Sequence, residues 1–210
     1  LDVGQGDGMY LHTKEGTNFF FDGGSTDVSK VGTYRMLPFL KAKGVKKIDY
    51  WIVSHTDADH ISGLKEILQA EYEINHIVFS KYVLNDEAYQ ELLALAKTYG
   101  TEILKMDCGD TLTDGEAGLR CIFPDKTYKS DDKNALSLVL RYEDQEFSGI
   151  FTGDISSAEE RYLVEHKNAG SVTFYKAAHH GSRYSNSADF LRALSPEITT
   201  ISCGENNRYG

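Results

Sequence analysis

"WIVSHTDADHISGL", residues 51–64, places two histidines and two aspartates within six positions, directly behind an apolar run. The opening residues read as the end of a buried strand, and ISGL as the first turns of a helix. One capping Asp would serve such a junction. His55, Asp57, Asp59 and His60 are four potential ligands, and a metal ion explains the crowding better. Alternate side chains of an extended segment share a face, so His55 and Asp57 point the same way. Asp59 and His60 fall at the start of the helix, where the helix dipole favours carboxylate. One loop can therefore present ligands to two ions. The competing reading is a polar helix start with an Asp cap and incidental histidines.

Two further segments favour the metal. "FTGD" (151–154) and "AAHHGS" (177–182) also end apolar strands in acid or imidazole. Asp154 alone reads as a cap, and His179 and His180 alone read as a loop pair. Three such strand ends form a constellation, because sites in α/β folds gather at the carboxyl ends of strands. Asp22, closing "FFFDGG", is a fourth case. It is either a group that orients a ligand histidine or a turn former.

Working outward, "LDVGQGDGMYLHTKEGTNFFFDGG" (1–24) predicts a β-hairpin around a KEG turn. The spacing predicts a helix within 33–45, with Pro38 near its start and Gly44 as its stop. Strands are expected in 47–55 and 74–80, with helices from 57 and over 85–100. Short strands follow in 102–123, then two strands joined by a turn at 143–146. A helix capped by Ser156 or Ser157, with Glu159 or Glu160 in its first turn, comes next. A strand runs into the AAHHGS loop, a helix is stopped by Pro196, and a last strand lies in 197–204. The order predicts an α/β (α+β) domain, helices outside two sheets, spanning 1–210.

The 210 residues can bury a real core, and 40% hydrophobic with 26% charged residues suits a globular protein. The net charge of −10 argues against a nonspecific nucleic-acid coat protein. Cys108, Cys121 and Cys203 form no CxxC pair, which argues against a disulfide framework or a zinc–thiolate site and predicts buried or half-buried thiols. No apolar run reaches membrane-spanning length. The chain has no initiator Met and opens within a strand, which suggests a piece of a longer protein.

The segments "LDVGQGDG", "DGG", "LPFLKAKGVKKID", "SHTDADHISGL", "NALSLVL", "FTGD", "KAAHHGSRYS" and "SPEITTISCGENNRYG" span nearly the whole chain in order. Together they resemble the metallo-β-lactamase superfamily, and within it the soluble C-terminal domain of ComEC-type DNA-uptake (competence) proteins. The resemblance implies a four-layer αββα sandwich with two divalent ions, Zn or Mn, in a groove above the sheets. It implies that His55 and Asp57 hold one ion, and that Asp59 and His60 hold the other with one of His179 and His180. Asp154 would bridge them. Strand alternation turns only one of the two histidines inward.

Two departures stand out. Asp57 replaces the superfamily's usual His, and the middle single His is missing. Asn134 falls near that place, as a weak ligand, a substrate contact or a turn residue. Oxygen-for-imidazole exchanges suit harder ions and make manganese a rival to zinc. The resemblance also implies a His-containing segment after "NNRYG", whereas this chain stops at Gly210. His12, His76 and His166 read as structural.

Two ions about 3.5–4 Å apart generate a nucleophilic hydroxide and stabilise developing charge. The expected function is a phosphodiesterase or nuclease acting on DNA during uptake through a metal-bridging hydroxide, with Asp59 as catalytic residue. Ser182, Arg183, Ser185 and Asn186 offer donors for a phosphate. One alternative is a hydrolase of thioesters, lactones or β-lactams. Another is a non-catalytic DNA-binding or scaffolding module of an uptake channel. The resemblance implies DNA and the membrane portion of a parent protein as partners, no soluble protein partner, and an extracytoplasmic location.

Overall fold

The computed structural model describes residues 1–205 and 207; Asn206 and residues 208–210 of the "NNRYG" end lie outside the described residues. The first half builds one sheet. Strands β1 (Gly8–His12) and β2 (Asn18–Asp22) form the antiparallel hairpin expected from the KEG turn. The helix expected within 33–45 comes in two parts, a wide π-type turn (Gly32–Met36) and α1 (Leu37–Ala42). Pro38 sits in the first turn of α1, where a missing N–H costs nothing, and Gly44 ends the segment with φ +69°. Then come β3 (Lys47–Ile52), α2 (Ala58–Gln69), β4 (Glu73–Ser80), α3 (Glu87–Tyr99) and β5 (Glu102–Met106). The sheet runs β1-β2-β3-β4-β5, parallel from β2 onward, as crossover helices require.

The second half builds a second sheet from β6 (Thr111–Asp114), β7 (Ala117–Phe123), β8 (Val139–Glu143), β9 (Ser148–Phe151), β10 (Phe174–Lys176) and β11 (Ile198–Thr200). Its order is β11-β10-β9-β8-β7-β6. It is antiparallel from β6 to β9 and parallel from β9 to β11. Helix α4 (Ser157–Glu165) lies between β9 and β10, and α5 (Ala188–Leu194) between β10 and β11. Of the two serines expected to cap α4, Ser156 does so, in a reciprocal capping box with Glu159.

Alternation along the strands sorts the apolar residues into three layers. Phe20, Trp51, Ile77 and Phe79 pack outward against Leu40, Leu64, Ile67 and Leu92 of the helices. Phe19, Phe21, Ile52 and Val78 point the other way, into a core shared with Leu119, Cys121, Leu140 and Phe151 of the second sheet. Phe21 and Phe151 stack across the two sheets with ring centroids 3.9 Å apart. Ile150 and Tyr175 face outward onto Leu163 of α4 and Phe190 and Leu194 of α5. The result is the αββα sandwich. Its inter-sheet core holds Cys121, and Cys108 is half-buried, but Cys203 is exposed, contrary to expectation, because it follows the last strand in an open segment. Among the described residues, no helix is long and apolar enough to cross a membrane.

Candidate metal centre

The strands β2, β3, β9 and β10 all deliver their carboxyl ends to one edge of the sandwich. From there the chain leaves through Asp22, through Ser54–His60, through Asp154 and through His179–His180. Close backbone approach makes this possible. A Cβ on Gly24 would lie 2.4 Å from the Ala58 carbonyl oxygen, so only glycine lets the "DGG" turn press against the start of α2. Gly153 takes φ +54° between Ser54 and Ser137, and the reversal there aims Asp154 at the cluster. Asp57 occupies the N-cap of α2, yet its side chain makes no capping hydrogen bond. An Asp that capped the helix would spend an oxygen on a first-turn N–H; this one faces His55 Nε2 at 3.7 Å.

The donors converge in a compact group. Asp59, His60, Asp154 and His180 each present an atom within 4.8 Å of the others. His60 Nε2 lies 3.2 Å from Asp154 Oδ2, and His180 Nε2 lies 3.3 Å from the same oxygen and 3.4 Å from Asp59 Oδ2. His179 Nε2 approaches Asp154 Oδ2 at 3.7 Å from the more open side. The expectation that alternation turns only one of this pair inward is corrected. Both residues take left-handed backbone angles, φ +50° and +53°, in a tight turn rather than a strand, and both rings face Asp154.

Each buried imidazole is fixed by what its other nitrogen touches. His60 Nδ1 lies 3.1 Å from Asp22 Oδ2. His180 Nδ1 lies 3.0 Å from the Ser202 carbonyl oxygen. Ser54 Oγ donates to Asp22 Oδ2 at 2.9 Å, and His55 Nδ1 lies 3.1 Å from that hydroxyl. A proton on each Nδ1 leaves the three Nε2 atoms as lone-pair donors pointing into the group, the arrangement that outer partners impose on ligand histidines. The Nε2 atoms of His55, His60 and His180 and Asp154 Oδ1 are buried and have no hydrogen-bond partner among the described residues. Such orphaned atoms are rare and call for a ligand. On this ground the residues fit a divalent ion, or a pair of them.

Electrostatics agree. Burial opposes charge on His180, but the neighbouring carboxylates of Asp154, Asp59 and Asp7 push its pKa up to about 12. Burial likewise opposes charge on His60, and Asp154 and Asp22 outweigh it and hold the group well above its usual range. His55 falls to about 4, from burial and from the neighbouring His60. Asp154 lies well below the usual carboxylate range: burial pulls upward, but His60 and His180 dominate. The carboxylates thus demand nearby positive charge, which protons or an ion can supply.

Asp22 has both a turn former's backbone and a carboxylate facing His60. It has φ +55°, and it receives the Ser54 N–H and hydroxyl while facing His60. Asn134 starts a short 3₁₀ turn, Asn134–Leu136, and its N–H donates to Asp132. The side chain that reaches the cluster from here is that of Lys133, 3.1 Å from Asp57 Oδ1 and 2.7 Å from Asp86 Oδ2. The expected phosphate donors are partly engaged within their own loop. Ser185 Oγ donates to the Ile155 carbonyl, Asn186 ties Tyr175 to Ala178, and Ser182 Oγ accepts from the Tyr184 N–H. Ser185 and Asn186 hold the loop, while the Ser182 hydroxyl keeps its own proton to donate. Arg183 stays on the surface, over the Tyr184 ring.

Sequence reasoning missed Asp7 and Lys176. They form a fully buried ion pair at 2.7 Å beneath the cluster, with Asp7 Oδ1 also 3.5 Å from His180 Nδ1. The signals were an Asp amid glycines in "VGQGDG" and a Lys ending an apolar strand.

Comparison with known proteins agrees with this geometry. Residues 2–84 match the family model of the metallo-beta-lactamase superfamily. The chain is 31% identical over 222 residues to ComE operon protein 3 of Bacillus subtilis, covering all of the chain and 28% of that protein. It is 28% identical to competence protein ComA of Neisseria gonorrhoeae, covering 99% of the chain and 27% of that protein. The chain therefore spans about a quarter of the length of these curated relatives. Among solved structures, the metallo-beta-lactamase fold protein YhfI from Bacillus subtilis superposes with a TM-score of 0.63 at 12% identity, over 97% of this chain and 81% of that one.

Proposed function

The chain has the metallo-β-lactamase fold and its relatives include competence proteins, and from that premise we propose that it is a metal-dependent phosphodiesterase acting on DNA during uptake. The carrying observation is that the buried Nε2 atoms of His60 and His180 converge on Asp154, with that of His55 buried close by, each imidazole fixed from behind. Asp59, His60, His180 and Asp154 would hold one ion, and His55 and Asp57 a second, with Asp154 shared. Such ions supply an activated water and charge neutralisation at a phosphorus centre.

The protein's own groups do the positioning. Asp22 and Ser54 lock the rings of His60 and His55, and the Ser202 carbonyl locks His180. Asp59 is the most open carboxylate of the inner group and is held ionised, because the His180 contact outweighs its burial. It is suited to orient the attacking water and take its proton. His179 and Arg183, on the open side, would meet the phosphate. Three carboxylates among the donors favour a phosphodiester and a hard ion such as Mn²⁺ over a thioester, lactone or β-lactam. We further place this domain, residues 1–210, in a larger membrane protein, on the extracytoplasmic face, where incoming DNA would meet it.

The test is cleavage of single-stranded DNA by the purified domain with EDTA, Zn²⁺ or Mn²⁺, beside Asp59→Asn. Metal-dependent cleavage that falls at least a hundredfold in the variant supports the reading. DNA that binds but survives with Mn²⁺ present would make the domain a binding module. Turnover of a thioester or lactam in place of DNA would make it another hydrolase.

A further inference from the structure

The two proposed ion positions differ in their surroundings, and the difference involves a residue outside both donor sets. We infer that Lys133 sets the occupancy of the His55–Asp57 position, so that the domain takes one divalent ion tightly and the second much more weakly. This rests on the metal reading above.

The inner position has four donors, Asp59, His60, Asp154 and His180, drawn from α2, the β9–α4 turn and the loop after β10. The outer position has His55 and Asp57, with Asp154 shared. Asp57 is itself divided: Oδ2 faces His55 Nε2 at 3.7 Å, while Oδ1 meets the Lys133 ammonium at 3.1 Å. A divalent ion on Oδ2 would stand within a few ångströms of a fixed positive charge. In a partly exposed setting, with Asp57 43% and Lys133 32% open, that repulsion is screened but not abolished. The ammonium also consumes the carboxylate charge that would attract the ion.

Lys133 cannot simply swing away. Its ammonium is also 2.7 Å from Asp86 Oδ2. Asp86 in turn is pinned as the N-cap of α3, accepting from the Tyr89 N–H at 2.8 Å and from Thr56 Oγ1 at 3.1 Å. The same network ties the ligand loop to α3. Lys133 also lines, with His55, Thr56, Val83 and Leu84, a cavity of only about 10 Å³, the room of one water. Among the described residues, no comparable cation faces the inner donors, since the buried Lys176 is engaged by Asp7 beneath them.

The experiment is calorimetric titration of metal-free protein with Mn²⁺, with bound metal counted by elemental analysis. Wild type should bind one ion tightly and a second at least tenfold more weakly. Lys133→Met keeps the length of the side chain and removes the charge; it should strengthen the second step about tenfold or more and leave the first within about threefold. Lys133→Arg keeps the charge and should retain the wild-type gap. A circular-dichroism melt of each variant confirms folding. Two equally tight steps in wild type, or an unchanged gap in folded Lys133→Met, would overturn the inference while leaving the metal centre standing. Failure of wild type to bind any Mn²⁺ would remove both.

Discussion

Lys176 ends an apolar strand, yet its ammonium lies 2.7 Å from Asp7 Oδ2 with both side chains 1% exposed. Burial works against the Asp7 charge, but Lys176 and His180 draw its pKa far down, so the pair is ionic. Breaking such a pair from one side strands a charge in the interior. Lys176→Met should therefore cost about 3–5 kcal/mol in urea unfolding, and adding Asp7→Asn should recover most of it. A loss below about 1 kcal/mol would mean that the pair carries no net electrostatic stability. This residue scale is also where the sequence was least legible. His55, Asp57, Asp59 and His60 announce themselves by crowding within six positions. Asp7, Lys133 and Lys176 do not, because each meets its partner only after two distant segments have folded together. Ser202 contributes a backbone carbonyl, which no side-chain pattern can reveal.

At the scale of elements, periodicity was enough. The alternation of Phe19, Phe20 and Phe21 sends one ring to the helices and two between the sheets. The helical spacing of Tyr89, Leu92 and Ala96 buries one face of α3. Turns were harder. The AAHHGS segment reads as a strand end, but two consecutive left-handed residues reverse it and bring both histidines to Asp154. Both residues are histidines, whose preference for that backbone is too weak to predict it. Gly153 does advertise it, and it gives the element-scale prediction. A methyl at Gly153 would meet Ser54 Cβ at 2.7 Å and Ser137 Cβ at 2.9 Å, and would strain a backbone at φ +54°. Gly153→Ala should displace Asp154 and weaken Mn²⁺ binding at least tenfold, with the far-ultraviolet circular dichroism unchanged. Unaltered affinity would show that Asp154 does not depend on this turn.

At the scale of the molecule, the sandwich arranges two half-sites at one edge. The first sheet and α2 bring His55, Asp57, Asp59 and His60; the second sheet brings Asp154, His179 and His180. On the proposed ligand set, each half supplies two of the four inner donors, so an ion bound there would join the two sheets across their shared core. Cations bound at the cluster would offset part of the net charge of −10 locally. The most direct measurement is anomalous diffraction at the manganese edge from crystals of the domain grown with Mn²⁺. The account predicts a strong peak among Asp59, His60, Asp154 and His180, and a weaker one beside His55 and Asp57. Peaks confined to other parts of the surface, or none at all, would contradict it.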